Sequence, residues 1–362
     1  MTQRENLVSL YRRQGYKHAP VGFALCPALW ETYKSIAGDT PMAEYFDYPE
    51  GFCIDWVPGL AARARAPIDW VRYYDSPLKP GTTFDHYGVA REPGSGAAHH
   101  MNHMRHPLEK ADSLEALQAY PFPEFDTQGT ASIREAVARV QAEGRAAVGG
   151  MACTIWETAW YIRGMPQLMM DMALEDEKAA FMLDTITAHA CQRAEAFAKA
   201  GVDILELGDD IGMQQAIMMS EEMYRVWIQP RLARVIAAAK RVKPDILIFY
   251  HTCGFVEPLI ENLIEAGVEI LNPVQPECMD FDKIHARYGS RLSFNGTLGT
   301  QTTMPFGTPA EVRSVVFRNL ERAGASGGLF CCPSHMLEPE VPWENIEAYV
   351  TACKEFRTAG GA

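Results

Sequence analysis

The sequence predicts an α/β protein, a single-domain (β/α)8 TIM barrel with N-terminal and mouth insertions covering residues 1–362, on three observations. From about residue 146 onward, short apolar runs alternate with amphipathic stretches of helical period. The runs are apolar on both faces, as parallel strands covered by helices are, and do not alternate with polar residues. Two similar runs upstream raise the strand count to the eight that close a barrel.

The candidate strands are APVGFAL (19–25), FCIDWV (52–57), AAVGGMA (the 147–152 region), VDILELGDD (202–210), DILIFYHTCG (245–254), VEILNPV (268–274), RLSFNGT (291–297) and GGLFCCP (327–333). A helical stretch from about Gln167 to Lys199 ends at Gly201. Another follows Ser220, a good N-cap, with Glu221 and Glu222 where the helix dipole favours negative charge. After the 245–254 strand, Val256, Leu259, Ile260, Leu263 and Ile264 form one apolar face that stops at Gly267. Thr308-Pro309-Ala310-Glu311 reads as a capping box with proline at the first helical position, and 343–356 as the last helix. Residues 58–145, rich in Pro, Gly and His, fit no β/α unit and are expected as insertions over the barrel mouth.

Net charge is −13, from 33 basic and 46 acidic residues, with no basic stripe. Nucleic acid and anionic membrane surfaces need clustered positive charge and are not expected partners. The polar N-terminus has no apolar core of a secretory signal, and no run is long enough to span a bilayer. Nine scattered cysteines read as free thiols in a reducing cytoplasm.

Polar residues recur where the apolar runs end. Asp209 and Asp210, then His251 and Cys253, then Asn272 and Gln275, then Asn295, and finally Cys331, Cys332 and His335 follow successive strands. In a parallel barrel these ends converge on one rim, where barrel active sites sit. His251 and Cys253 are two apart on an extended strand end, so they point the same way, and both suit zinc. Cys331, Cys332 and His335 are the candidates for a further ligand. Asp209 and Asp210 are candidate acid–base residues, of which adjacency sends only one into the site; the other serves as an N-cap or an arginine partner. Trp156, Trp160 and Tyr161 either pack near the third strand or line an apolar pocket. Trp156, Tyr161, Gln214, Asn272 and Gln275 are the candidate substrate contacts. His99, His100, His103 and His106 read as a polar loop, with a metal array as the alternative, and Asp55 is a further site candidate inside an apolar run. No dinucleotide, nucleoside triphosphate or serine-hydrolase motif stands in a fitting context.

PDILIFYHTCG, EAGVEILNPVQ, RLSFNGTLGTQ, GTPAEVRSVV and GGLFCCPSHMLEPEVPWENI, with GDDIGMQQAIMMSEEMYRVWIQPRL, together resemble the uroporphyrinogen decarboxylase superfamily, a (β/α)8-barrel family. The resemblance implies two chemistries. The decarboxylases carry an arginine-rich first strand that grips a polycarboxylate; here that strand reads PVGFALCPALWETY, without arginine. The other branch is similar to zinc methyltransferases that exchange a methyl group with cobalamin or another corrinoid, often on a corrinoid protein, and includes O-demethylases of methoxylated compounds. Its coenzyme M enzymes bind zinc through an H-x-C pair, matched by His251 and Cys253, and a later cysteine. In that last position this chain carries His335, which leaves three alternatives: His335 as the third ligand, Cys332 in its place, or a site without zinc. The expected activity is zinc-assisted methyl transfer from a small methoxylated substrate to a corrinoid. The alternative is a metal-free decarboxylase or lyase acting on a smaller substrate. Relatives of this kind are often monomers or dimers, so the resemblance leaves both a monomer and a homodimer open.

Overall fold

The computed structural model describes residues 1–52, 68–94, 102–125 and 130–356. Ten strands occur among them: β1 (Glu50–Phe52), β2 (Thr83–Phe84), β3 (Ala90–Glu92), β4 (His103–Arg105), β5 (Ala146–Ala152), β6 (Ile204–Gly208), β7 (Leu247–His251), β8 (Ile270–Asn272), β9 (Ser293–Asn295) and β10 (Leu329–Phe330). Seven form one curled sheet in the order β1-β5-β6-β7-β8-β9-β10, every pair parallel. Each neighbour is the next strand in the series, as a singly wound barrel requires. β2, β3 and β4 make a separate antiparallel sheet between β1 and β5.

The eighth stave departs from the expected strand at 19–25. It is extended, but only Leu25 bridges in parallel, to Leu337. The Tyr48 hydroxyl takes up both backbone groups of Phe23, and the Tyr349 hydroxyl both of Gly22. Side chains thus satisfy the polar backbone that a strand would satisfy with its neighbours, and Pro20 has no amide to offer a ladder. The run expected at 52–57 begins as β1, two residues earlier, and 53–57 lie outside the described residues.

The helices cover the sheet's outer face. The stretch expected from Gln167 to Lys199 is two helices, Met165–Ala173 and Glu177–Ala200. Glu175 turns to φ 52° between them, and Asp176 caps the second by accepting the Lys178 amide. That helix ends at Gly201, left-handed at φ 92°, and the capping box at Thr308 and Glu311 is formed in both directions. Ser220 accepts the Met223 amide as an N-cap. A π turn, Tyr224–Ile228, then precedes Pro230, whose missing amide and bulky ring disturb the helical ladder.

Arg163 ties the insertion to the barrel. Buried at the end of helix Trp156–Arg163, it pairs with the equally buried Asp171 at 2.8 Å and donates to the Leu108 and Ala111 carbonyls. No helix among the described residues is long and apolar enough to cross a membrane.

Candidate functional site

The carboxyl ends of β6 and β7 lie side by side, with Gly208 paired to His251. A Cβ at Gly208 would fall 2.5 Å from the His251 carbonyl oxygen, so glycine is required for this approach. Beyond Gly208 the chain presents Asp209 and Asp210 on opposite sides. Asp209 is buried and points away from the rim: it accepts the amides of Ile155 and Glu157 at the start of helix Trp156–Arg163. Burial, then the Glu157 charge, pushes its carboxyl well above the usual range, against those backbone hydrogen bonds. The acid–base role expected for Asp209 therefore does not fit; it anchors a helix. Asp210 turns toward β7, where its Oδ1 accepts the Cys253 amide at 2.7 Å and lies 3.8 Å from His251 Nε2. Its own amide donates to Glu157 Oε2 at 3.1 Å.

A chain of hydrogen bonds orients His251. Asn272 Nδ2 donates to Asn295 Oδ1 at 2.7 Å and to the Asn295 carbonyl, which assigns Oδ1 of Asn272 as the atom 2.5 Å from His251 Nδ1. Asn295 Nδ2 in turn donates to the buried Tyr11 hydroxyl at 2.7 Å. A carbonyl oxygen only accepts, so His251 carries its proton on Nδ1 and turns the Nε2 lone pair toward Cys253 Sγ, 3.4 Å away.

Asp210, His251 and Cys253 form the one group of three metal-competent side chains found among the described residues, with ligand atoms within 4.8 Å of one another. Tetrahedral zinc with Zn–N near 2.0 Å and Zn–S near 2.3 Å separates its ligands by roughly 3.4–3.6 Å. The His251–Cys253 spacing of 3.4 Å meets that requirement, and the His251–Asp210 spacing of 3.8 Å exceeds it by a few tenths of an ångström, within reach of a small side-chain adjustment. Burial, followed by the Asp210 and Glu157 charges, pushes the Cys253 thiol up to about 12, so a thiolate at neutral pH needs a cation beside it. A thiolate, an imidazole lone pair and a carboxylate are the donor set of an open zinc site.

The residues considered for the third ligand lie elsewhere. Cys332 faces the barrel interior and donates to Asn295 Oδ1 at 3.2 Å; Cys331, next to it, faces outward to Thr297. His335 is outside the cluster of three and lines the two cavities described next.

The larger cavity, about 590 Å³, is the barrel interior. Inward side chains of the eight staves line it, with Phe23, Tyr48, Phe52, Phe249 and Phe330 as aromatic wall and Asn272 and His251 toward the rim. The second, about 340 Å³, opens at the mouth among Gln214, Cys253, Gln275 and Gln301. His251 thus borders one cavity and Cys253 the other, and Ser334, His335 and Met336 border both.

Of the expected substrate contacts, Asn272 reaches the interior and Gln214 and Gln275 the mouth. Trp156 and Tyr161 line neither cavity. Trp156 is fully buried in the core, and the Tyr161 hydroxyl donates to Glu157 Oε1 at 2.9 Å. Helix Trp156–Arg163 turns these rings against the protein, and the interior strands supply the aromatic wall. His103 is exposed in β4, and His106 Nδ1 bonds the Tyr161 carbonyl at 2.8 Å; His99, His100 and Asp55 lie outside the described residues. Three acidic residues escaped the sequence reading. Glu157 supports Asp210, and Glu50 and Glu206 line the interior. Their signal was a lone charge in an apolar run, as in Ile204-Leu205-Glu206-Leu207.

Fold and site together define a (β/α)8 barrel with a thiol–imidazole–carboxylate cluster at the carboxyl ends of its strands. A family profile described as uroporphyrinogen decarboxylase (URO-D) matches residues 88–356, and the chain belongs to that family. Over 209 residues it is 28% identical to a methylated-thiol–coenzyme M methyltransferase of Methanosarcina mazei, covering 54% of this chain and 50% of that one. The chain therefore spans about half the length of this curated relative. Its structure is similar to that of a solved methyltransferase from Methanosarcina mazei, with a TM-score of 0.65 at 17% identity over 98% of this chain and 99% of the other, a likeness of fold.

Proposed function

We propose that this protein is a metal-assisted methyltransferase that moves a methyl group from a small methylated, methoxylated substrate to a corrinoid carried by a partner protein. The observation that carries the reading is the Asp210–His251–Cys253 cluster, set on the rim between an aromatic interior cavity and an open mouth. The curated relative, a methyltransferase by name, points the same way.

Asp210, His251 and Cys253 would hold zinc, which when bound supplies Lewis acidity toward the heteroatom of the methyl donor. Asn272 keeps the proton on Nδ1 of His251, so that Nε2 stays a ligand. Glu157 receives the Asp210 amide and holds that carboxylate at the rim. The aromatic wall excludes water from the donor, while the amide-rich mouth of Gln214, Gln275 and Gln301 is open to a larger acceptor. A polycarboxylate finds little purchase. Arg145 is the one lysine or arginine lining the interior among the described residues, and it is paired with Glu143.

The test is incubation of purified protein with cob(I)alamin and a panel of methyl ethers and thioethers, following conversion to methylcobalamin. Conversion that depends on Cys253 is expected. Carbon dioxide release from a carboxylated substrate, with no methyl transfer from any donor, would establish the decarboxylase alternative.

A further inference from the structure

The barrel interior contains a pair of groups that the cluster at the rim does not use. Glu50 on β1 and Glu206 on β6 both line the cavity, among Val148, Ile204, Phe249 and Phe330. Among the described residues neither carboxylate accepts a hydrogen bond or meets a cation; the Arg145 contact with Glu50 is to its backbone oxygen. Glu206 sits in register with Phe249, one inward layer below the Gly208–His251 pair, which is about 6.6 Å along the strand.

Carboxylates that face an apolar cavity with no partner among the described residues cost stability, and apolar or amide side chains would serve the fold better. Two such carboxylates facing one cavity point to a chemical role. We propose, resting on the methyl-transfer reading above, that Glu50 and Glu206 act together as the general acid that protonates the heteroatom as it loses its methyl group, so that the methyl donor is a neutral ether or thioether.

Burial pushes both carboxyls upward, with His251 drawing Glu206 partly back down, and the Glu206 charge raises Glu50 further, to about 8, so Glu50 is the member of the pair that holds a proton at neutral pH. The other acids near the rim are engaged: Asp209 holds a helix start, Asp210 holds the Cys253 amide within the cluster, and Glu157 accepts the Asp210 amide and the Tyr161 hydroxyl. In an in-line displacement with the methyl carbon facing the mouth, the heteroatom would lie inward of it, between the rim cluster and the layer of the pair. The remaining titratable or charged groups around the cavity are Tyr48, Arg145, His251, Cys332 and His335.

The step balances. The cobalt(I) electron pair forms the new Co–C bond, and the C–O or C–S bond breaks with its electrons going to the heteroatom. The proton passes from the pair to that heteroatom, giving a neutral alcohol, phenol or thiol, and water returns it to the pair. An onium donor releases a neutral amine or thioether and needs no proton.

Glu50→Gln and Glu206→Gln, with wild type, test the proposal in single turnovers with cob(I)alamin, using anisole, 4-nitroanisole and tetramethylammonium. For anisole, a poor leaving group, a loss on the order of 10²-fold or more is expected. For 4-nitroanisole the loss should be much smaller. Tetramethylammonium should be no better a donor than anisole for wild type. An equal loss for both ethers would mark a structural role and overturn the proposal, as would preferred turnover of tetramethylammonium. Failure of the wild type with every donor would instead sink the methyl-transfer reading. The pair is judged separately by 13C NMR titration of glutamate-labelled protein, with the two variants assigning the signals. One proton retained by the pair at pH 7 is expected; two ionised carboxylates at that pH would overturn the proposal whatever the activity.

Discussion

Asn272 accepts the Nδ1 proton of His251 at 2.5 Å because its own amide nitrogen is already committed to Asn295. One buried amide thus decides which imidazole nitrogen faces Cys253 and Asp210. Asn272→Leu should lower zinc affinity about 10- to 100-fold, as loss of such an orienting partner does at other metal sites. Asn272→Asp, which keeps the acceptor, should retain most of it. Competition titration with a chromophoric chelator reads the difference.

Metal content separates the candidate ligands. Protein prepared with zinc should contain close to one ion per chain, and Cys253→Ala and Asp210→Ala should lose most of it. His335→Ala should keep its zinc, since His335 stands outside the cluster. Elemental analysis of the three variants decides; loss in His335→Ala with retention in Asp210→Ala would reverse the ligand assignment.

Asp209 should matter for stability more than for chemistry. Asp209→Ala leaves the Ile155 and Glu157 amides without their acceptor in a buried setting, at a cost of about 1–3 kcal/mol for each unsatisfied group. Asp209→Asn, which keeps one acceptor oxygen, should recover part of the loss in a urea titration.

Glu50 should make the fold less stable as pH rises. An unfolded glutamate ionises near 4.3. In the fold, burial and then the Glu206 charge hold Glu50 at about 8. Between those values the folded chain keeps a proton that the unfolded chain has released, so stability falls with rising pH through the window and is unaffected below it. Glu50→Gln should remove this slope. Its melting temperature should exceed that of wild type at pH 8 and match it near pH 4, by differential scanning fluorimetry.

The buried Arg163–Asp171 pair should be costly to break and cheap to replace. Arg163→Met strands the Asp171 charge, an effect of about 3–5 kcal/mol. It also frees the Leu108 and Ala111 carbonyls, loosening the insertion. The double variant Arg163→Met with Asp171→Leu should recover much of the stability. Limited proteolysis should show cleavage near residues 108–111 in the single variant before the barrel is cut.

What the sequence by itself determined is what local chain geometry carries. Strand and helix periods, the caps at Ser220 and Thr308, and the shared direction of His251 and Cys253 all depend on residues a few positions apart. The adjacency of Asp209 and Asp210 likewise required that they diverge, and one became the helix anchor. The runs expected as strands exceed the paired segments, because the buried chain continues past the last ladder bond: 268–274 holds only Ile270–Asn272. Only the tertiary structure decided the rest. In strands apolar on both faces, the pattern does not show which phase points inward, so Glu206 could not be assigned to the cavity nor Cys331 to the outside. Trp156 and Tyr161 depended on how their helix rotates against the sheet. The irregular stave at 19–25 depended on two distant tyrosine hydroxyls, Tyr48 and Tyr349. The third member of the cluster came from β6, paired with β7 across about forty residues of chain, and that pairing arises from barrel closure and from Gly208 letting the two strand ends meet.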